Sequence, residues 1–139
     1  MFPLASKILI VDDFATMRKI IKKSLSELGY NHIDEASDGS SALSKLHEAL
    51  RKNEAFQLIV SDWGMEPVSG FDLLQKCRAN PQLKDLPFLL ITADSDKENI
   101  QKAGKAGVSD CIVKPFTPLM LKQKLEKIWN RHSQSRPAA

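Results

Sequence analysis

Short runs of apolar residues alternate along the chain with longer stretches in which apolar residues recur every three or four positions. The short runs are typical of strands buried on both faces of a sheet, and the recurring positions are typical of helices that bury one face. Strict alternation of the two predicts βα units around a parallel sheet. The predicted strands are 7–11, 32–36, 57–61, 88–92 and 110–113, and the predicted helices are 17–28, 41–52, 71–78, 97–106 and a last one that follows Pro118.

Side chains capable of chemistry lie at the ends of four of these strands. Asp12 and Asp13 follow the first strand, Asp62 follows the third, Thr92 ends the fourth and Lys114 follows the fifth. Each of them alone has an ordinary explanation as a cap, a turn residue or a solvated lysine. Ligands of open parallel sheets, however, bind beyond the carboxyl ends of the strands. We therefore expect these five residues to form one site.

The chemistry of the group indicates a divalent cation and phosphoryl transfer. Neighbouring carboxylates repel unless a cation or a proton lies between them. Hard oxygen ligands suit Mg²⁺ better than zinc, which prefers His or Cys. A carboxylate beside Mg²⁺ can attack phosphorus to give an acyl phosphate. Asp62 is the candidate nucleophile because it stands apart, whereas the adjacent Asp12 and Asp13 are arranged to hold the metal. Thr92 and Lys114 would bind phosphoryl oxygens.

Composition limits the class of protein. The chain has 139 residues, 42% of them apolar and 27% charged, as in ordinary globular proteins. We expect one folded domain over residues 1–130 and a polar tail over 131–139 that frays. No apolar run approaches the roughly 20 residues that span a bilayer, and the N-terminus does not have the pattern of a secretory signal. Cys77 and Cys111 lack metal-ligand spacing and fit a reducing compartment. We expect a cytoplasmic protein with no membrane partner.

The charge is divided unevenly between the two halves of the chain. The net charge is +3, with −2 over residues 1–70 and +5 over residues 71–139. The basic residues are scattered over several segments and are not interleaved with aromatic residues, so they do not favour nucleic acid. We interpret them as a solvated surface that is also compatible with an acidic protein partner.

Five stretches together resemble the receiver domains of two-component response regulators, and among these the chemotaxis regulators most closely. They are 11–18 (VDDFATMR), 60–63 (VSDW), 91–93 (ITA), 97–100 (KENI) and 113–117 (VKPFT). Thirty residues separate Asp62 from Thr92 and twenty-two separate Thr92 from Lys114, which also fits. The resemblance implies an α/β fold of the flavodoxin-like type, with a doubly wound five-stranded parallel sheet of order 2-1-3-4-5 and five helices.

The resemblance also implies roles for the site residues. Asp62 would accept a phosphoryl group from a histidine kinase. Asp12, Asp13, Asp62 and the backbone carbonyl of Gly64 would surround Mg²⁺, while Thr92 and Lys114 would sense the phosphoryl group. The Lys114–Pro115 peptide would be cis. With one domain and no DNA reader, output would be direct binding of a monomer to a protein, the flagellar motor switch, through the fourth helix, fifth strand and fifth helix.

Three positions depart from the pattern of the family. Pro67 falls one place later than is usual, which affects the loop beside Asp62. Gly64 stands where chemotaxis regulators have Asn, which affects the lifetime of the phosphoryl group. Cys111 stands where the family has a Tyr or Phe that moves inward on activation, which affects the output switch.

Other functions remain open from the residues. The runner-up is a stand-alone receiver of a phosphorelay or stress pathway outside motility. A metal-dependent phosphatase with the same aspartates is disfavoured because no second general acid or pocket motif accompanies them. A nucleotide-binding protein is disfavoured because no Gly-rich loop follows the first strand. Among the remaining residues, Trp129 is predicted to be a packing residue, and His32, His47 and His132, which lack partners in the sequence pattern, are predicted to be surface or satisfied residues.

Overall fold

The computed structural model of the protein describes residues 1–64, 68–93 and 97–135, with side chains to residue 132. Five strands and five helices alternate in these residues, as the sequence pattern predicts. The strands are β1 (Lys7–Val11), β2 (His32–Ala36), β3 (Leu58–Asp62), β4 (Phe88–Thr92) and β5 (Asp110–Val113). The helices are α1 (Ala15–Glu27), α2 (Gly39–Arg51), α3 (Gly70–Ala79), α4 (Lys97–Lys105) and α5 (Pro118–Ser135).

All described strand pairs are parallel, and the order in the sheet is β2-β1-β3-β4-β5. The doubly wound fold and its expected order are thereby confirmed. The order reverses at β1, so a crevice opens between the carboxyl ends of β1 and β3. Val11 pairs with Ser61 in the register of these strands. The residues that follow, Asp12 and Asp62, are therefore neighbours across the crevice.

Each strand of the sheet centre buries both faces. Along β1, Ile8 and Ile10 belong to an apolar cluster with α1 and α5, whereas Leu9 and Val11 belong to a second cluster with α2, α3 and α4. Successive side chains of a strand point to opposite faces, which explains why β1 is apolar without interruption. Two helices on one face and three on the other cover the central strands β1, β3 and β4 almost completely.

Helix α5 is longer than the sequence predicts. It continues to Ser135, five residues past the predicted boundary at residue 130, while residues 136–139 lie outside the described part. Arg131 Nη1 donates to the backbone oxygen of Ser109 at 2.7 Å, and His132 Nε2 lies 2.9 Å from Ser109 Oγ. His132 therefore has a partner in Ser109, as a satisfied residue does, whereas His32 and His47 are exposed.

The aromatic ring of Trp129 packs as predicted, with its centroid 5.2 Å from that of Phe2. Phe2 is buried in the cluster that α1 and α5 form with the sheet, and Trp129 packs against the same cluster. The N-terminal segment and α5 thus close this layer together. Among the described helices, none is both long and apolar enough to cross a membrane.

Helix α3 begins in direct contact with the end of β3. Ser69 and Asp72 form a capping box at its N-terminus, and Gly70 N donates to Trp63 O at 2.8 Å. A Cβ atom at Gly70 would lie 1.8 Å from the backbone oxygen of Asp62. Only glycine permits this approach, so the start of α3 fixes the main chain that carries the Asp62 carboxylate.

Replacement of Gly70 by Ala should therefore destabilise the protein. We expect the free energy of unfolding to fall by about 2 kcal/mol or more, because the main chain of Asp62 has to move to relieve the overlap. Gly104→Ala is the matched control: no atom lies within 4 Å of its Cβ position, and alanine is favoured over glycine in a helix by about 1 kcal/mol. Urea unfolding of both variants measures the difference, and equal stability would contradict the role of Gly70.

Candidate metal and phosphoryl site

Three carboxylates meet in the crevice at the carboxyl edge of the sheet. Asp12, Asp13 and Asp62 each offer an oxygen within 4.8 Å of the others. Asp12 is fully buried and Asp62 is 8% exposed, whereas Asp13 faces solvent. The group is therefore walled by protein on one side and open to solvent through Asp13.

The Asp12 carboxylate is only half satisfied. Its Oδ1 accepts a hydrogen bond from Phe14 N at 2.9 Å, while its buried Oδ2 has no hydrogen-bond partner in the described part of the chain. Burial is the main cause that raises the pKa of Asp12, and Asp62 and Asp13 raise it further against the opposite effects of Phe14 N–H and Lys114. A buried acceptor without a donor, beside two more acids, matches the needs of a divalent cation.

Lys114 brings a positive charge to this group from the end of β5. Its Nζ lies 3.3 Å from Asp62 Oδ1 and 3.8 Å from Asp12 Oδ2. The Lys114–Pro115 peptide is cis, as the resemblance implied. One ammonium group offsets only part of the charge of three carboxylates, so the site stays electronegative.

The end of β4 completes the edge. Asp62 is paired with Ile91, and Thr92 is paired with Val113, the residue before Lys114. Thr92 is nearly buried there, and its backbone oxygen accepts from Lys114 N at 2.7 Å. Thr92 therefore sits on the strand between those that carry Asp62 and Lys114, and the structure brings all five predicted side chains to one edge of the sheet.

The loop after Asp62 contains two of the positions that depart from the family pattern. Gly64 is exposed, its Cβ position is open, and its φ is not in the left-handed region, so its backbone does not require glycine. The prediction that its carbonyl is a metal ligand stays a prediction. Pro67 lies outside the described residues.

Cys111, the third departure, lies on β5 and is half-buried. Like Ala106 and Val108, it packs against the apolar cluster on the α4 side of the sheet, of which Ala103 is a member. Burial, with a smaller contribution from Asp110, raises the pKa of the Cys111 thiol to about 11. The thiol is thus protonated at neutral pH and faces the helix layer, not the carboxylates.

Two contacts beside the site are not predicted by the sequence. Arg18 Nη1 donates to the backbone oxygen of Asp12 at 2.7 Å. Trp63 stacks on Phe71 with ring centroids 5.1 Å apart, and Lys102 Nζ lies 5.7 Å from the centroid of Phe71. The position of Arg18, one turn into the helix that follows the two aspartates, is the sequence feature that could have predicted its contact. The stack joins residues that no sequence motif connects.

Comparison with known proteins agrees with this geometry. The profile of the response regulator receiver domain family matches residues 8–126. The chain belongs to this family. Receivers are signalling proteins that take a phosphoryl group from a kinase, which confirms the predicted class of function. The acidic cluster of this receiver fits the metal site expected of such a domain.

Curated relatives place the receiver near chemotaxis proteins. Chemotaxis protein CheY-3 of Vibrio cholerae serotype O1 is 50% identical over 125 residues, which are 90% of this chain and 92% of that protein. Chemotaxis protein CheY of Pseudomonas aeruginosa is 48% identical over 125 residues, 90% of this chain and 97% of that protein. The chain is thus a CheY-like response regulator, consistent with chemotaxis signalling.

Solved structures agree with the fold of the receiver. The chemotaxis response regulator CheY4 of Vibrio cholerae superimposes with a TM-score of 0.79 at 31% identity, over 89% of this chain and 98% of that chain. A putative response regulator from Chloroflexus aurantiacus gives a TM-score of 0.82 at 28% identity, over 91% and 99% of the two chains.

The burial of the Asp12 carboxylate, with the nearby charges of Asp62 and Asp13, predicts that Asp12→Asn stabilises the metal-free receiver at pH 7. The raised pKa of Asp12 means that the folded state binds its proton more tightly than the unfolded state does, so the ionised carboxylate opposes folding. Asparagine keeps the acceptor for Phe14 N and removes the charge. We expect a gain on the order of 1 kcal/mol, typical of like charges at this separation, that fades as the pH falls towards the ordinary value of 3.8.

Urea unfolding in chelator, at several pH values, measures this effect. Asp34→Asn is the matched control: burial acts to raise the pKa of Asp34, but hydrogen bonds from Lys45 and the Glu35 N–H lower it overall. That carboxylate supports folding when ionised, so its neutral variant should show no gain at pH 7. A gain of equal size in both variants would contradict the specific cost of the buried charge at Asp12.

Proposed function

We propose that this receiver is a chemotaxis response regulator in which Asp62 accepts the phosphoryl group, with Mg²⁺ held by Asp12, Asp13, Asp62 and the carbonyl of Gly64. The observation that carries the proposal is the contact of Lys114 Nζ with Asp62 Oδ1 at 3.3 Å inside the group of three carboxylates. Asp62 is the one carboxylate of this group that contacts the ammonium closely and still has some access to solvent. Asp62 is therefore accessible to a phosphoryl donor, and the ammonium group of Lys114 can stabilise the phosphorylated product.

The transfer proceeds by attack of an Asp62 oxygen on the phosphorus of a phosphohistidine. The new O–P bond forms as the P–N bond breaks, and the imidazole leaves with the electron pair of that bond and takes up a proton. Mg²⁺, when bound, neutralises charge on the phosphoryl oxygens. Lys114 moves its hydrogen bond from the carboxylate to a phosphoryl oxygen, and the Thr92 hydroxyl binds another.

The carboxylate oxygens of the site are chemically suited to Mg²⁺. The buried Asp12 Oδ2 without a hydrogen-bond partner among the described residues, together with Asp13 and Asp62, provides hard oxygen ligands. No cysteine belongs to the group, since Cys111 faces the helix layer and Cys77 is buried among apolar side chains. A site of few carboxylates with access to water suits Mg²⁺, which retains several waters when bound to proteins.

The proposed output surface is formed by α4, β5 and α5. Ile100, Leu119 and Met120 expose large apolar side chains there, with Leu119 61% exposed. The C-terminal half of the chain that forms this surface carries the positive charge. We propose that it binds an acidic protein of the flagellar motor switch as a monomer. The histidine kinase and this target are its two partners, and the two free thiols fit a cytoplasmic location.

Phosphorylation by a small-molecule donor tests the assignment of Asp62. With Mg²⁺ and acetyl phosphate we expect one phosphoryl group per chain by intact mass spectrometry, and none in Asp62→Asn or after removal of Mg²⁺ by chelator. Asp34→Asn is the control, because Asp34 pairs with Lys45 on β2, outside the site. If Asp62→Asn is phosphorylated at the rate of the unchanged protein, the assignment is wrong.

We further propose that Cys111 takes the place of the aromatic switch and that the switch is weakened as a result. An aromatic ring that moves from water into the core contributes a few kcal/mol to a two-state bias, whereas a thiol buries far less area and contributes a fraction of that. Cys111 packs against the apolar cluster on the α4 side of the sheet, and motion of Thr92 towards a phosphoryl oxygen is the step that would open space for an inward side chain at this position.

Thiol labelling measures whether Cys111 takes part in the conformational change. In a Cys77→Ala background, we expect the labelling rate of Cys111 to change when beryllium fluoride and Mg²⁺ mimic the phosphoryl group, because its packing against the α4 side changes. The pH is held constant, since the thiol with a pKa of about 11 reacts through a small thiolate fraction. Equal rates in both states would show that Cys111 is a fixed strand residue.

A further inference from the structure

Arg18 reaches back from the first turn of α1 to the end of β1. Its Nη1 donates to the backbone oxygen of Asp12 at 2.7 Å, and its Nε donates to Glu35 Oε1 on β2 at 3.2 Å. The side chain is only 20% exposed. The proposed function gives this partly buried cation no part in binding or transfer.

The contact with Arg18 provides a hydrogen-bond donor to the backbone carbonyl of Asp12. This residue lies just past the end of β1, and its N–H still bonds to Ala36 O at 3.2 Å. The residue is fully buried, so its carbonyl requires a donor. Arg18 supplies that donor, while Phe14 N binds Asp12 Oδ1 at 2.9 Å. The two bonds fix the main chain of residues 12–14 from both sides.

Glu35 fixes Arg18 in turn. It accepts from Arg18 through Oε1, and Lys22 Nζ lies 3.7 Å from its Oε2. Arg18 and Lys22 are one turn apart on α1, so they share the face of the helix next to β2. Among the described ion pairs, that of Arg18 is with Glu35 and not with the three site carboxylates. The charge of Arg18 is therefore compensated away from the metal ligands, and its donor to Asp12 acts on the backbone.

We propose that Arg18 is a positioning residue for the divalent cation. By holding the Asp12 carbonyl, it keeps the turn of residues 12–14 in the conformation that points the Asp12 and Asp13 carboxylates towards Asp62. This role rests on the proposed metal site. Groups that orient metal ligands in this way commonly account for 10- to 100-fold in metal affinity.

The charge of Arg18 and its contact with Asp12 have opposite expected effects on the affinity for Mg²⁺ when Arg18 is replaced. Loss of a cation near three carboxylates should strengthen the binding of Mg²⁺ if only its charge matters. Loss of the contact with the Asp12 carbonyl should weaken binding if its position matters. The sign of the change in affinity therefore separates the two effects.

The test is a Mg²⁺ titration of Arg18→Met, in which methionine keeps much of the apolar stem and removes the donors. Emission of Trp63, next to Asp62, reports binding in a Trp129→Phe background, and the rise in melting temperature with Mg²⁺ is a second readout. We expect about tenfold weaker affinity for Mg²⁺. Lys22→Met is the matched control, since it removes a cation bound to the same Glu35 without a contact to Asp12, and its affinity should not fall.

Arg18→Lys provides the test if the methionine variant does not fold. Lysine keeps the charge but cannot reproduce the forked contacts of the guanidinium, so the affinity should still fall, by less than tenfold. Unchanged or tighter binding in both Arg18 variants, or an equal loss in Lys22→Met, would overturn the role of Arg18. Absence of any Mg²⁺ response in the unchanged protein would instead overturn the proposed metal site on which this role depends.

Discussion

Repulsion among Asp12, Asp13 and Asp62 is the interaction on which the arrangement of this site depends. The parallel register places the ends of β1 and β3 side by side, and burial makes the charge on Asp12 costly. Among the described residues, the ammonium group of Lys114 contacts two of the three carboxylates. The apolar packing on both faces of the sheet compensates for the unfavourable free energy of this cluster of carboxylates. Such a cluster fits the divalent cation and the phosphoryl group that we propose for this site.

The surrounding structure holds the main chain of Asp12 and Asp62 and leaves Asp12 Oδ2 without a hydrogen-bond partner among the described residues. Gly70 brings α3 against the backbone oxygen of Asp62, and Arg18 donates to the backbone oxygen of Asp12. Neither contact occupies a carboxylate oxygen. Fixed ligands with unsatisfied oxygens lower the cost of ordering the site when an ion binds, which is the usual benefit of a rigid second layer of contacts.

Contacts also lead from the site towards the proposed output surface. Trp63, which follows Asp62, stacks on Phe71 of α3, and Lys102 of α4 lies over the same ring. Cys111 on β5 packs on the α4 side of the sheet. These contacts connect the proposed phosphoryl site with α4 through the sheet and through this stack. A two-state surface needs only a few kcal/mol of bias to respond to a change at that site.

Much of this organisation follows from local pattern. The alternation of apolar runs and amphipathic stretches determined the ten elements, because period and burial are local properties of a chain. Asp12, Asp13, Asp62, Thr92 and Lys114 could be grouped from sequence, since the carboxyl ends of parallel strands lie at one edge. The strand order, by contrast, came from resemblance to receivers and not from the pattern itself.

Only the tertiary structure decided the contacts between residues far apart in sequence. The helical continuation of α5 beyond residue 130 is stabilised by Ser109, twenty-two residues before Arg131. The need for glycine at position 70 arises from the Asp62 carbonyl, and the role of Arg18 depends on Glu35 of β2. Such contacts depend on distances that the packing of helices on the sheet sets. The local periodicity of apolar residues does not determine those distances, because they are set by packing between elements that are far apart in sequence.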